Sequence, residues 1–225
     1  MSRTTHILTA FLLGVTSCGS PAKQPPARSF RAIINEHARG DARVDSFSTL
    51  ADQARILGDS SAKLWLVAVV DYQCRDCKRW HDEVLPALRS GPIAAGQMRL
   101  ALLQMPLASH LNAMPSGIAS VCAATEGKYW ETTSRIFGTQ DQWKDLPDAR
   151  PFLDSLAIGT GVPAAIHRQC TERARGQKLV QSDAERSRAA GVDSLPTFFI
   201  GTHKLVGYST AAAFRAVLDS ALAGR

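Results

Sequence analysis

The stretch LWLVAVVDYQCRDCKRW, residues 64–80, sets two cysteines, Cys74 and Cys77, three positions apart just behind an apolar run. Residues 64–70 form a continuous, Val-rich run of strand length, the pattern of a strand buried on both faces. The segment 74–88 reads as a helix that Pro86 kinks or ends. Cys74 therefore falls at a helix N-terminus, where unpaired N–H groups and the macrodipole favour a thiolate. Arg75 and Lys78 are expected to favour the anion further, and Asp76 to oppose it. Cys77, one turn in on the same helical face, is expected to be more buried and to resolve mixed disulfides.

Such a pair can grip a metal, attach a haem, or cycle between dithiol and disulfide. Haem attachment needs His directly after the second Cys, but Lys78 stands there. A structural zinc site needs two further ligands at suitable spacing, and the chain has no second CxxC. His81 lies four residues after Cys77 on the same helix face. A copper or zinc site of Cys74, Cys77 and His81, and with it a metal-chaperone role, stays open at this level.

The rest of the chain narrows the fold. At 225 residues it can bury one good core with a sizeable insertion, and 45% apolar with 20% charged residues is ordinary for a globular protein. The net charge of +6 is spread along the chain without a basic block, which argues against nucleic-acid binding. It is equally compatible with anionic lipid. Residues 47–57 have apolar positions at helical spacing, ending at Gly58. Residues 98–105 read as a second strand, stopped by Pro106. From 112 to about 190 the pattern is helical almost throughout. Residues 196–207 look like two short strands joined by a Gly-containing turn. Residues 211–222 form an amphipathic closing helix through Phe214, Val217, Leu218 and Leu222. Strand, helix, strand, helical block, hairpin and helix imply an α/β fold: a small mixed sheet flanked by helices, carrying a helical insertion.

The N-terminal run 7–15 is too short to span a bilayer and has the length of a signal-peptide core. It ends in Val15-Thr16-Ser17-Cys18-Gly19, which resembles the lipobox of bacterial lipoproteins. There the Cys becomes the lipid-carrying N-terminus; the alternative is an ordinary secretory signal that happens to contain Cys18. The expected organisation is a lipoprotein signal peptide over 1–17, a Pro/Ser/Lys-rich flexible tether over 18–45, and a single domain over 46–225 with its insertion at about 110–190. Export places the protein where disulfides persist.

A second signal is Gly191-Val192-Asp193-Ser194-Leu195-Pro196-Thr197-Phe198-Phe199-Ile200-Gly201. With DYQCRDCKRW, with Pro106-Leu107 and His110, and with the segment 119–130, the chain resembles the DsbA-like thiol–disulfide oxidoreductases of the thioredoxin superfamily. The match covers roughly residues 58–222. The resemblance implies a thioredoxin-like fold with a cis-proline, Pro196, opposite the cysteines, and Leu195 exposing its backbone to an extended substrate. It implies a cofactor-free thiol–disulfide oxidoreductase acting on unfolded or thiol-containing exported proteins through Cys74 and Cys77, membrane-anchored on the extracytoplasmic side and coupled to a membrane redox partner. A reductase or isomerase kept reduced by such a partner is the alternative within the class.

Three positions depart from the family. The intervening dipeptide is Arg75-Asp76, where the best-known oxidants have Pro-His. Leu195 stands where Thr or Val is commoner. Ala68 occupies the strand position at which many relatives carry a Glu that can serve proton transfer. Asp71 matches an acidic residue common in the family, and a helix cap is the simplest role for it. Cys122 and Cys170 remain. Even parity in an exported chain favours a disulfide between them, the alternative being two buried thiols. Cys122 is expected in a helix over 118–125, and Cys170 near the start of a helix after Pro163.

Overall fold

Strand β2 (Leu64–Val70) organises the molecule, seen in a computed structural model that describes residues 46–224. The expected signal peptide, the tether and Cys18 lie outside the described residues. Six of the seven β2 side chains, all but Trp65, are buried on the two faces, and each Leu or Val among them contributes about 2 kcal/mol of apolar burial. Such a strand is stable only in the middle of a sheet. It pairs in parallel with β3 (Met98–Gln104), from Leu64↔Met98 to Val70↔Gln104. On its other side it pairs antiparallel with β4 (Thr197–Ile200), from Leu66↔Ile200 to Val69↔Thr197. A two-residue strand β1 (Ile56–Leu57) and β5 (His203–Val206) form the edges, giving the order β1-β3-β2-β4-β5.

Helix α1 (Ser46–Ala54) stops earlier than its apolar spacing predicts, because Ile56 and Leu57 pair with β3 instead of continuing the helix. The reason is tertiary. Arg55, buried at the junction, points its guanidinium at Asp52 and at the fully buried Asp183. Burial works against the Arg55 charge, but Asp183 and Asp52 more than reverse this, and its pKa is raised. Asp183 also accepts from the Gln104 backbone N–H at 3.1 Å and from Arg186 at 2.5 Å. One carboxylate thus ties the end of α1 to β3.

The expected helix over 74–88 is two helices, α2 (Arg75–Glu83) and α3 (Leu85–Leu88), divided at Val84 just before Pro86. A turn with Pro92 inside it follows over Arg89–Ile93. Trp80 of α2 packs on Phe198 of β4 at 5.0 Å between ring centroids. Phe198 in turn meets Phe214 of the closing helix α10 (Ala211–Ala223) at 5.2 Å. α2 and α10 are thereby held on the same face of the sheet.

Between β3 and β4 the regular structure is helical: α4 (Ala113–Ala124), α5 (Tyr129–Gly138), α6 (Gln140–Trp143), α7 (Arg150–Gly159), α8 (Ala164–Glu172) and α9 (Arg175–Ala189). α4 is the axis of this block, packed by α5, α7, α8 and α9. Cys122 of α4 and Cys170 of α8 form a disulfide, with Cα atoms 5.7 Å apart. Cys170 lies toward the end of its helix, not near the start as its distance from Pro163 suggested. Next to the bond, α9 approaches closely through Gly176. A Cβ built there would sit 2.8 Å from Cys122 Sγ.

Candidate active site

The register of β4 on β2 decides where the two motifs meet. Val69 pairs with Thr197, so Pro196 comes level with the end of β2, where the chain turns into the cysteine segment. The Leu195–Pro196 peptide is cis. The Leu195 carbonyl lies 4.0 Å from Cys74 Sγ. Gly207 N–H donates to the Pro196 carbonyl at 2.8 Å, and the Thr197 hydroxyl to Ser194 O at 2.6 Å, which fix the loop from both sides.

Cys74 is the N-cap of α2, with φ −73° and ψ 123°. Its sulfur accepts from the Cys77 N–H at 3.4 Å. Both sulfurs are free thiols; Cys74 is half-buried and Cys77 fully buried. The Cys74 pKa is brought down to about 7. The first cause is the hydrogen bond from the Cys77 thiol; burial opposes it; the backbone N–H groups of Cys77 and Asp76 add to it. Arg75 and Lys78 are not among the causes, contrary to expectation. Arg75 is 84% exposed and reaches Asp76, and Lys78 pairs with Asp82. Cys77 is opposite: burial, then its neighbour Cys74, push its pKa well above 9.

The segment before Cys74 is held by Asp71 and His110, which the sequence singled out, and by Gln73, Asn112, Gln140 and Thr133, which it did not. Asp71 closes an Asx turn by accepting from Gln73 N–H at 2.7 Å, and its second oxygen accepts from Leu107 N–H at 2.9 Å. His110 Nδ1 lies 2.8 Å from that same oxygen. Gln73 donates to Lys144 O at 2.7 Å and accepts from Asn112 N–H at 2.8 Å. The buried Gln140 donates to the Tyr72 and Cys74 carbonyls at 2.6 and 3.1 Å. Tyr72 OH meets Thr133 Oγ1 at 2.7 Å, and its ring packs on Phe137. The insertion therefore fastens the cysteine turn from α5 and α6. A buried Gln carries no periodic or spacing signal that would reveal this.

His81 is turned to the insertion. Its Nδ1 lies 2.7 Å from Asp82, its Nε2 3.4 Å from Ser134, and its ring packs on Phe137. Burial lowers its pKa. Both ring nitrogens being so placed, His81 is not the third ligand that a site with Cys74 and Cys77 needs. Among the described residues no three His, Cys, Asp or Glu side chains come together as a metal site. Ala68 is fully buried opposite Phe198 and places no acid beneath the cysteines.

Known proteins match this arrangement. The family model described as Thioredoxin matches residues 50–220. Among solved structures, alpha-DsbA1 of Wolbachia pipientis superposes with a TM-score of 0.67 at 21% identity, over 76% of this chain and 91% of that one. BdbD of Bacillus subtilis superposes at 0.68 with 16% identity, over 75% and 92%. A curated relative named Na(+)/H(+) antiporter NhaA 1, from Mycobacterium sp. (strain KMS), is 24% identical over 182 residues. These are 75% of this chain but only 27% of the antiporter, so the match spans about a quarter of that relative's length. Among the described residues no helix is long and apolar enough to cross a membrane. With the family model covering residues 50–220, the chain belongs to the thioredoxin family, and its fold is that of the DsbA-type structures it superposes on.

Proposed function

We propose that the protein exchanges disulfides with exported, thiol-containing proteins outside the cytoplasm, anchored to a membrane through Cys18. In this reading Cys74 is the nucleophile and Cys77 the resolving thiol. Leu195 offers its backbone to the extended substrate, and Pro196 holds that backbone in place. The supporting observation is the split within one helical turn: Cys74 half-exposed with its pKa near about 7, Cys77 buried with its pKa well above 9. A thiolate stable near neutral pH attacks, and a protected thiol one turn away closes the disulfide. A membrane partner that restores the cysteine pair completes the cycle. The Cys122–Cys170 bond lies in the insertion and plays a structural part.

The test is thiol exchange between the purified protein and a reduced, unfolded secreted protein. Cys74→Ala is expected to abolish exchange, whereas Cys77→Ala traps Cys74-linked mixed disulfides. Exchange that persists without Cys74 defeats the proposal. The reduction potential assigns direction: near about −120 mV for an oxidant and about −270 mV for a thioredoxin-like reductant. Lipid labelling and fractionation of the full chain test the anchor, and a soluble form that begins downstream of Cys18 removes it.

A further inference from the structure

Away from the cysteines, the turn after α3 and the outward face of α5 border an open cleft of about 470 Å³, lined by Arg89, Trp130, Glu131, Ser134 and Arg135. Its size is that of a small-ligand site. Cys74, Cys77, Leu195 and Pro196 take no part in its walls. Its only printed tie to α2 is His81, whose Nε2 lies 3.4 Å from Ser134 Oγ.

The charges of the cleft are unequally used. Arg135 meets Glu131 at 3.2 Å, and Glu131 also reaches Lys128 at 3.5 Å. The head of Arg135 rests against the end of α7, where a Cβ on Gly159 would come within 3.1 Å of its Nη1. Arg89 has no acidic partner among the described residues. It lies over the Trp130 ring, 5.2 Å from the centroid. Partial burial lowers its pKa, and no carboxylate opposes the shift. The second unused group is the Trp130 indole, whose Nε1 is buried without a hydrogen-bond partner among the described residues. A buried donor of this kind calls for an acceptor. The indole is also firmly seated, edge-on to the buried Tyr129 ring at 5.3 Å.

We propose that this cleft binds a carboxylate carried on an apolar body. The Arg89 guanidinium and the Trp130 N–H take the carboxylate oxygens, and the body lies along the indole. The planar fork of an arginine matches a carboxylate in two parallel hydrogen bonds. Two arginines against one glutamate leave the wall a single positive charge, which one carboxylate neutralises. A phosphate monoester, close to doubly charged at neutral pH, would leave the cleft negative. The indole supplies apolar contact area beside its polar N–H. A free carboxylic acid and the C-terminus of a peptide both offer this chemistry. The inference is independent of the proposed thiol exchange, because no lining residue of the cleft acts on Cys74.

The experiment follows the indole N–H resonances of the ¹⁵N-labelled full-length protein at neutral pH. The chain has four tryptophans, and Trp130→Phe identifies the resonance that belongs to Trp130. The probes are hexanoate, its neutral analogue hexanamide, and acetyl-Ala-Leu with a free C-terminal carboxylate. Both carboxylates should move the Trp130 resonance downfield to a saturating value, and hexanamide should leave it in place. Arg89→Gln should weaken binding by about tenfold or more, as for loss of a hydrogen bond to a charged group. Arg89→Lys, which keeps the charge without the fork, should fall between the two. Tighter binding of the peptide assigns the carboxylate to a protein C-terminus, and tighter binding of hexanoate to a small free acid. No saturable shift with either carboxylate, an equal shift with hexanamide, or equal affinity in the native and Arg89→Gln proteins overturns the inference. A native protein that exchanges thiols through Cys74 and yet shows no such shift fails this inference alone, and the proposed function stands.

Discussion

The depressed pKa of Cys74 is assigned to a donor one turn away, so Cys77→Ala should raise it. In the native site the Cys77 thiol is the largest cause of the drop from 9.0 to about 7. Two units correspond to at most about 3 kcal/mol of thiolate stabilisation, reduced by solvent at a half-buried sulfur. Half of Cys74 is then thiolate at about pH 7, against about one per cent for an unperturbed thiol. With Cys77 removed, the backbone N–H groups remain and the midpoint should rise by about one unit, leaving about a tenth as thiolate at that pH. Alkylation should slow about fivefold, and the ultraviolet thiolate titration should shift with it. Cys77→Ser keeps a hydroxyl donor at the same place and should stay near the native midpoint. A native midpoint at about 8.5, or the same midpoint in the Ala and Ser variants, would refute the assignment. The pH dependence of the reduced fold follows. Because the folded pKa of Cys74 is depressed, its contribution is complete above about pH 9 and is lost as pH falls through about 7. Cys77, with its pKa raised, acts in the opposite sense and destabilises the reduced fold as pH rises above about 9. Reduced-state stability should therefore rise from about pH 6 toward 9 and then stop rising, as read by urea denaturation at fixed pH.

Three further outcomes are expected. Gly176→Ala should destabilise the fold by about 1–3 kcal/mol, because its Cβ meets Cys122 Sγ at 2.8 Å; an unchanged denaturation midpoint would mean that α9 shifts freely. Replacing both Cys122 and Cys170 by Ala should cost about 4 kcal/mol, from a sequence separation of 48 in the chain-entropy model, with thiol exchange through Cys74 retained. Asp183→Ala should cost about 3–5 kcal/mol in thermal unfolding, since Arg55 and Arg186 lose their shared buried partner; a loss under about 1 kcal/mol would show that Asp52 suffices for Arg55.

The sequence alone determined what depends on short-range pattern. The continuous, Val-rich apolar run of β2 reads as a central buried strand. The segment behind it reads as a helix that Cys74 opens, residues 196–207 read as two short strands, and the resemblance sets Pro196 opposite the cysteines. Local chemistry also places Cys74 at the cap, because N-cap geometry needs only the neighbouring residues. The tertiary structure decided what depends on residues far apart in the chain. Ile56 and Leu57 leave the helical pattern because β3 offers them hydrogen bonds. Arg75 and Lys78, adjacent to Cys74 in sequence, do not set its pKa, because exposed chains turn to Asp76 and Asp82 in water. Gln140, 66 residues from Cys74, holds its carbonyl instead. His81 faces Phe137 and Ser134 of the insertion, and His110 reaches Asp71 across 39 residues. A buried polar group must find a partner wherever the fold brings one, and only the folded chain specifies which partner that is.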